Sequence, residues 1–212
     1  MRRATSLLLA LWITAAAALP VNDVDRAAPE RAAGAVSGRV TATSGRLPDM
    51  IVYLEPTDAS VALAPPERVE VISQKGAKFS PSLLVIARGQ TVEFRNDEQR
   101  PIEHNVFSRS PSKPFDLGLF PPPQVKRVTF DDPGPVQLYC SIHRYMDGVI
   151  YVCPTPLFAT VGADGAFSIE NVPAGEWRLR TWQRSARFND VQQTVRVDAN
   201  GRATVNVEMK RG

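Results

Sequence analysis

The stretch "VQLYCSIHRYMDGVIYVC", residues 136–153, decides how the rest of the chain is read. Its ends, Val136–Cys140 and Gly148–Cys153, are runs of Val, Ile, Leu and Tyr of the kind that favours extended backbone. Between them a short loop holds Cys140, His143 and Met146 in the spacing C-x2-H-x2-M. Thiolate, imidazole and thioether are soft or borderline metal ligands. Taken singly, each has a plainer use: Cys and Met pack in cores, and His hydrogen-bonds. Together, in this order and between two strand candidates, they point to a metal.

Working outward, the chain repeats the pattern of short β-prone runs broken by turns. Pro (18) and Gly (13) are spread along the 212 residues and punctuate runs of Val, Ile, Thr and Phe, which predicts an all-β fold. Strands are expected in "AVSGRVTAT" and "MIVYLEP", then "RVEVIS", "SLLVIA", "QTVEFRN", "HNVFS", "VKRVTF", "VQLYC" and "GVIYVC". A last group comprises "GAFSIENV", "EWRLRTWQ", "VQQTVRV" and "ATVNVEM". Arg88-Gly89, Pro133-Gly134, Asp164-Gly165, Ala174-Gly175 and Asn200-Gly201 mark turns. "TDASVALAPPE" reads as a linker, and the Pro-rich "SPSKPFDLGLFPPPQ" (110–124) as a rigid surface connection or a partner-facing loop.

The first 18 residues read as a secretory signal: two arginines, an apolar run from Leu7, then small residues with a cut after Ala18. Residues 19–35 read as a flexible leader. No other segment is long and apolar enough for a membrane span of about 20 residues. The formal charge is +3, and without Arg2 and Arg3 there remain 23 basic against 22 acidic residues. No basic stripe is interleaved with aromatics, so nucleic acid is not an expected partner. An exported chain can form disulfides, and two cysteines are present. The strand between them argues against a bridge. At about 3.3 Å per residue it carries Cys153 away from Cys140, and a bridge needs Cα atoms within about 7 Å.

Only one other histidine exists, His104, 36 residues before Cys140. With it the chain holds two imidazoles, a thiolate and a thioether, the set that builds a trigonal copper site with a weak axial Met. Met is not a usual zinc ligand, and a structural zinc site would draw four ligands from thiolates and imidazoles. In a β-sandwich, distant strand ends meet at one pole, where loops can assemble such a site.

"FSPSLLVIARGQTVEFRNDEQRPIEHNVFS" and "DDPGPVQLYCSIHRYMDGVIYV" resemble the cupredoxins, in particular the plastocyanin, pseudoazurin and amicyanin group. The shared pattern is F-x-P, G-x-x-V-x-F-x-N, H-N-V, P-G and Y-C-x-x-H-x-x-M-x-G-x-I-x-V, over residues 69–153. The resemblance implies a Greek-key β-sandwich in which His104, Cys140, His143 and Met146 bind one type 1 copper. It also implies that Asn105 steadies the ligand loop through hydrogen bonds. Arg144 stands where related sequences often carry proline after the His. The flanks resemble a second family. "GAVSGRVTATSGRLPDMIVYLEP" and "ATVGADGAFSIENVPAGEWRLRTWQ" look like the two halves of a carboxypeptidase regulatory-like (transthyretin-like) β-sandwich, with Val161-Gly162 and Trp177 as departures. Residues 36–57 and 157–209 are therefore expected to form one small discontinuous sandwich, with the copper module inserted. Trp177 and Trp182 are then core aromatics.

The leading function is an exported, periplasmic or secreted carrier of single electrons, working by Cu(II)/Cu(I) cycling with an unidentified redox partner protein. It is not expected to be an enzyme: a multicopper oxidase or nitrite reductase needs further His-ligated copper, and both histidines are already used. No Ser-His-Asp arrangement is available for the same reason. Two other readings use the same ligands: a copper-delivery protein, and an interaction module with structural copper. Redox behaviour and the speed of metal exchange distinguish them.

Overall fold

The computed structural model describes residues 33–43 and 45–211. The signal read at 1–18 and the leader up to residue 32 lie outside the described residues. Among the described residues there are sixteen strands and no helix, so the fold is all-β, as the punctuated β-prone runs foretell.

The strands are β1 (Ala33–Ala42), β2 (Met50–Pro56), β3 (Glu70–Gln74), β4 (Phe79–Ser80), β5 (Leu83–Ala87), β6 (Thr91–Asn96), β7 (His104–Ser108) and β8 (Phe115–Phe120). They continue with β9 (Val125–Thr129), β10 (Gly134–Tyr139), β11 (Asp147–Cys153) and β12 (Phe158–Thr160). The chain closes with β13 (Ala166–Pro173), β14 (Gly175–Gln183), β15 (Gln192–Val197) and β16 (Arg202–Met209).

Four sheets form, in the orders β13-β1-β16, β12-β2-β14-β15, β5-β11-β10-β7-β8 and β4-β3-β6-β9. Strands β1 and β2 thus share sheets with β12–β16, and the strands between them build their own two sheets. One core fills the space between the first two sheets, with Val36, Val40, Val52, Leu54, Trp177 and Leu179 at its centre. A second core lies between the other two and contains Ile72, Phe94, Phe130, Leu138, Cys140 and Met146. A third, smaller cluster of Ile51, Tyr53, Tyr151 and Cys153 joins β2 to β11.

Side-chain alternation explains why β2 and β11 can serve two cores each. Successive residues of a strand point to opposite faces. In β2, Met50, Val52 and Leu54 enter the first core while Ile51 and Tyr53 face β11. In β11, Ile150 and Val152 enter the second core while Tyr151 and Cys153 face β2. A strand covered on both faces reads as an unbroken apolar run, as "MIVYL" and "GVIYVC" do. The junction is aromatic: Tyr151 stacks on Trp182 with ring centroids 4.4 Å apart, and its hydroxyl donates to that of Tyr53 at 3.2 Å. Trp177 is a core residue, as expected, whereas Trp182 is half-buried at this junction.

The register of β10 with β11 keeps the two cysteines apart: Tyr139 pairs with Asp147 and Gly134 with Val152, so Cys140 and Cys153 lie at opposite ends of the strand pair. Cys140 packs in the second core and Cys153 in the junction cluster, and both are free thiols. Burial pushes the Cys153 thiol well above its ordinary pKa.

Three local findings differ from the sequence reading. Strand β1 starts at Ala33, so residues 33–35, read as leader, are paired on both sides, Ala33 with Pro173 and Ala35 with Arg202. Ala and Gly are weak β-formers and gave no signal. Strand β8 lies inside the Pro-rich 110–124 segment, as an edge strand paired with β7 and flanked by prolines. Strands β4 and β12 span two and three residues, too short for a periodicity to register.

Gly38 shows how closely β1 approaches β16. A Cβ there would sit 1.7 Å from the Val205 carbonyl oxygen, so no other residue fits without moving the strand.

Trp177 is 2% exposed, and its indole N–H donates to the Pro173 carbonyl at 2.9 Å. Replacing it with alanine leaves a large cavity and an unpaired carbonyl. Trp177→Ala should lower unfolding free energy by about 3–5 kcal/mol, read by urea titration. A loss under about 1 kcal/mol would show that this core does not depend on it.

Candidate metal centre

Register between β10 and β7 places the centre. Tyr139, the last residue of β10, pairs with Phe107 in antiparallel fashion, so the chain beyond β10 runs back along β7 toward its start. His104 opens β7, Cys140 follows β10, and the loop that returns to β11 carries His143 and Met146. The ligand atoms of His104, Cys140 and His143 lie within 4.8 Å of one another. No other group of three or more His, Cys, Asp or Glu side chains with such spacing occurs among the described residues.

The geometry suits a metal. Cys140 Sγ stands 3.6 Å from His143 Nδ1. Ligands about 2.0 Å (nitrogen) and 2.3 Å (sulfur) from a shared ion are separated by roughly that much. The two imidazole rings tilt at 49° with centroids 4.8 Å apart, so they converge without stacking flat. Cys140 is 6% exposed and Met146 2%, and both belong to the second core. The Met146 N–H donates to the His143 carbonyl at 2.9 Å, closing the loop between these two residues into a tight turn.

His104 supplies the most telling atom. Its ring is fully buried, and Nδ1 has no hydrogen-bond partner. A buried polar atom without a partner is costly and calls for a reason. Nε2 is engaged with Glu98 Oε1 at 3.0 Å. An ionised carboxylate only accepts, so Nε2–H donates, and in the neutral ring Nδ1 is left with a free lone pair. That is the arrangement by which an outer carboxylate fixes the tautomer of a metal-binding imidazole. The bond from His104 holds the Glu98 carboxyl below the usual carboxylate range, aided by the Gly76 N–H at 2.5 Å.

Two further side chains shape the loops. Asn96 is buried and donates to the carbonyls of Ile102 and Phe120, both at 2.9 Å, while its Oδ1 accepts from the Glu98 N–H at 3.2 Å. It thereby folds the 97–103 segment so that Glu98 reaches His104. Asn105 is the hydrogen-bonding residue that the cupredoxin resemblance implied. Its Oδ1 accepts from the Ser141 N–H at 3.2 Å, and its amide donates to Asp116 Oδ1 at 2.7 Å. Neither Glu98 nor Asn96 was assigned a role from sequence. Asn96 closes the G-x-x-V-x-F-x-N pattern, but Glu98 sits among charged residues of a surface-like segment and gave no signal.

The surroundings of His143 are open on one side. His143, Arg144, Tyr145, Met146 and Ala77 line a shallow, mostly apolar depression, with Tyr145 96% exposed and Ile142 50% exposed beside it. Arg109 does not stand free, because its guanidinium lies over the Phe107 ring at 5.6 Å.

No family model matches the chain, and no curated protein does. Among solved structures the chain is similar to a purple cupredoxin from Nitrosopumilus maritimus, at 25% identity over 40% of this chain and 99% of that one, TM-score 0.36. It is similar to a copper-containing nitrite reductase from Thermus scotoductus at 25% identity, over 54% of this chain and 28% of that one, TM-score 0.39. A reduced amicyanin variant aligns at 18% identity over 48% of this chain and 99% of its own length, TM-score 0.36.

Asp116 gives a pH test of the loop anchor. The Gly118 N–H, and next the Asn105 amide, hold its carboxyl below the usual carboxylate range. A depressed folded pKa means its contribution to stability is complete above the unfolded value of about 3.9 and is lost as pH falls through the lower folded value. Thermal melting of the metal-free protein should therefore fall less steeply from about pH 5 downward in Asp116→Asn than in the parent. Parallel curves would show that Asp116 is not part of the anchor.

Proposed function

We propose that the chain is an exported carrier of single electrons, with one type 1 copper held by His104, Cys140, His143 and Met146. The observation that carries this reading is the convergence of two imidazoles and a thiolate within 4.8 Å, one of them presenting a buried, unpartnered Nδ1. The donor set separates copper from its rivals. Thiolate and thioether favour Cu(I), and imidazole suits both oxidation states. Copper bound there would supply a Cu(II)/Cu(I) couple, accepting one electron from a reduced donor and giving it to an oxidised acceptor.

The residues of the chain make that exchange easy. Glu98, Asn105 and the tight Met146–His143 turn fix the ligands before any metal arrives, so little movement accompanies a change of charge. The apolar packing of Cys140 and Met146 excludes water from the sulfur side. His143 is the ligand nearest solvent, and its exposed neighbours Ile142 and Tyr145 offer a redox partner protein an apolar contact, with Arg144 to attract an acidic rim. The flanking sandwich, whose sequence resembles the carboxypeptidase regulatory-like modules, is read as a structural support. Export rests on the N-terminal signal read from sequence. Among the described residues no helix is long and apolar enough to cross a membrane. The chain is read as a non-enzyme because its two histidines serve one centre.

Variants test the ligand roles. Cys140→Ser should leave a Cu(II) form without intense visible colour, and Met146→Leu should keep copper while raising its reduction potential, measured by redox titration. A potential that falls in Met146→Leu would remove Met146 from the axial role. Copper lost rapidly to a competing chelator, with slow electron exchange, would favour delivery over electron transfer.

A further inference from the structure

Asp147, the residue after Met146, is held from outside its own sandwich. Its Oδ2 accepts from Arg184 Nη2 at 2.9 Å, and Arg184 Nη1 donates to Ser82 Oγ at 3.2 Å. Arg184 follows β14, and its own backbone N–H donates to the Asp49 carbonyl at 3.0 Å. The arginine is therefore rooted at the end of the β2–β14 pair, where Gln183 pairs with Met50, and reaches across to the neighbouring sandwich. The aromatic junction of Tyr53, Tyr151 and Trp182 fixes the two sheets at the distance this reach needs.

An exposed ion pair contributes little by itself. This one differs in what its ends hold. One guanidinium binds the first residue of β11 and the turn before β5 together, using the planar fork that lysine lacks. The same turn accepts the Val149 N–H on the Ser82 carbonyl at 2.9 Å. The Arg184 side chain is 27% exposed against 52% for Asp147, so the clamp is partly shielded from solvent.

We propose that Arg184 is a positioning residue of the metal centre: it pins the Met146 end of the ligand loop and so makes the sandwich of β1, β2 and β12–β16 a working part of the copper site. The proposal rests on the copper reading above for its functional consequence, and on the Arg184 contacts alone for the pinning.

The test uses the full chain with Arg184→Gln and Arg184→Lys. Amide hydrogen exchange is measured on the metal-free protein, followed by the visible spectrum and reduction potential of the copper-loaded form. Arg184→Gln should speed exchange several-fold at the Met146 and Val149 amides and leave the amides of β2 unchanged. Arg184→Lys should fall between, since an ammonium can pair with Asp147 but cannot span both partners. The copper-loaded Arg184→Gln protein should show a displaced potential and visible band. Unchanged exchange at Met146 and Val149, or an equal rise across both sandwiches, would overturn the proposal. Should Arg184→Gln fail to fold, Asp147→Asn removes the same pair from the other side and is held to the same outcomes. A parent chain that binds no copper would sink the functional reading and the claim on the metal centre together. The metal-free exchange still decides by itself whether Arg184 pins the loop.

Discussion

Antiparallel pairing of Tyr139 with Phe107 directs the chain beyond β10 back toward the start of β7, and the arrangement of the whole site follows from that register. Cys140 then lies next to the backbone that carries His104, although 36 residues separate them in the chain. A slip of one residue would turn Cys140 out of the core and move Ser141 away from Asn105. The Ser141–Asn105 hydrogen bond locks the register, because it joins the ligand loop to the residue after His104. Hydrogen bonds to Asp116 and Glu98 then fix, respectively, the asparagine and the histidine ring. The site is thus a property of paired strands, with the loop contributing the last two candidate ligands.

The stacking of four sheets gives this pole a rigid backing. Strands β2 and β11 each feed a core on one face and share the aromatic junction on the other. A strand buried on both faces has little freedom to shift, and β11 begins directly after Met146. Mechanical continuity therefore runs from the outer sandwich through Tyr53, Tyr151 and Arg184 to the ligand loop. Outside that path, the two sandwiches keep separate cores.

Much of this was legible in the sequence because the signals were local and repeated. The all-β fold followed from short Val/Ile/Thr/Phe runs and Gly turns, and "MIVYLEP" coincides with β2 to the residue. The candidate ligands stood out because C-x2-H-x2-M is compact and only one other histidine exists. What stayed hidden depends on long-range contact. Glu98 looks like any charged surface residue until Asn96 and Gly76 are seen to hold it beside His104. Arg184 looks like a solvated cation until the two sandwiches are placed together. Strand β8 was masked by its prolines, and the start of β1 by Ala and Gly, which pair because β13 and β16 flank them.

The proposed copper centre can be tested most directly by the visible and EPR spectra of the purified chain with one equivalent of Cu(II), before and after ascorbate. A thiolate–copper bond in a trigonal site gives an intense visible band with narrow copper hyperfine splitting, bleached on reduction, and that is the expected result. A pale solution with ordinary tetragonal splitting, or a chain that binds no copper, would contradict a centre built from His104, Cys140, His143 and Met146.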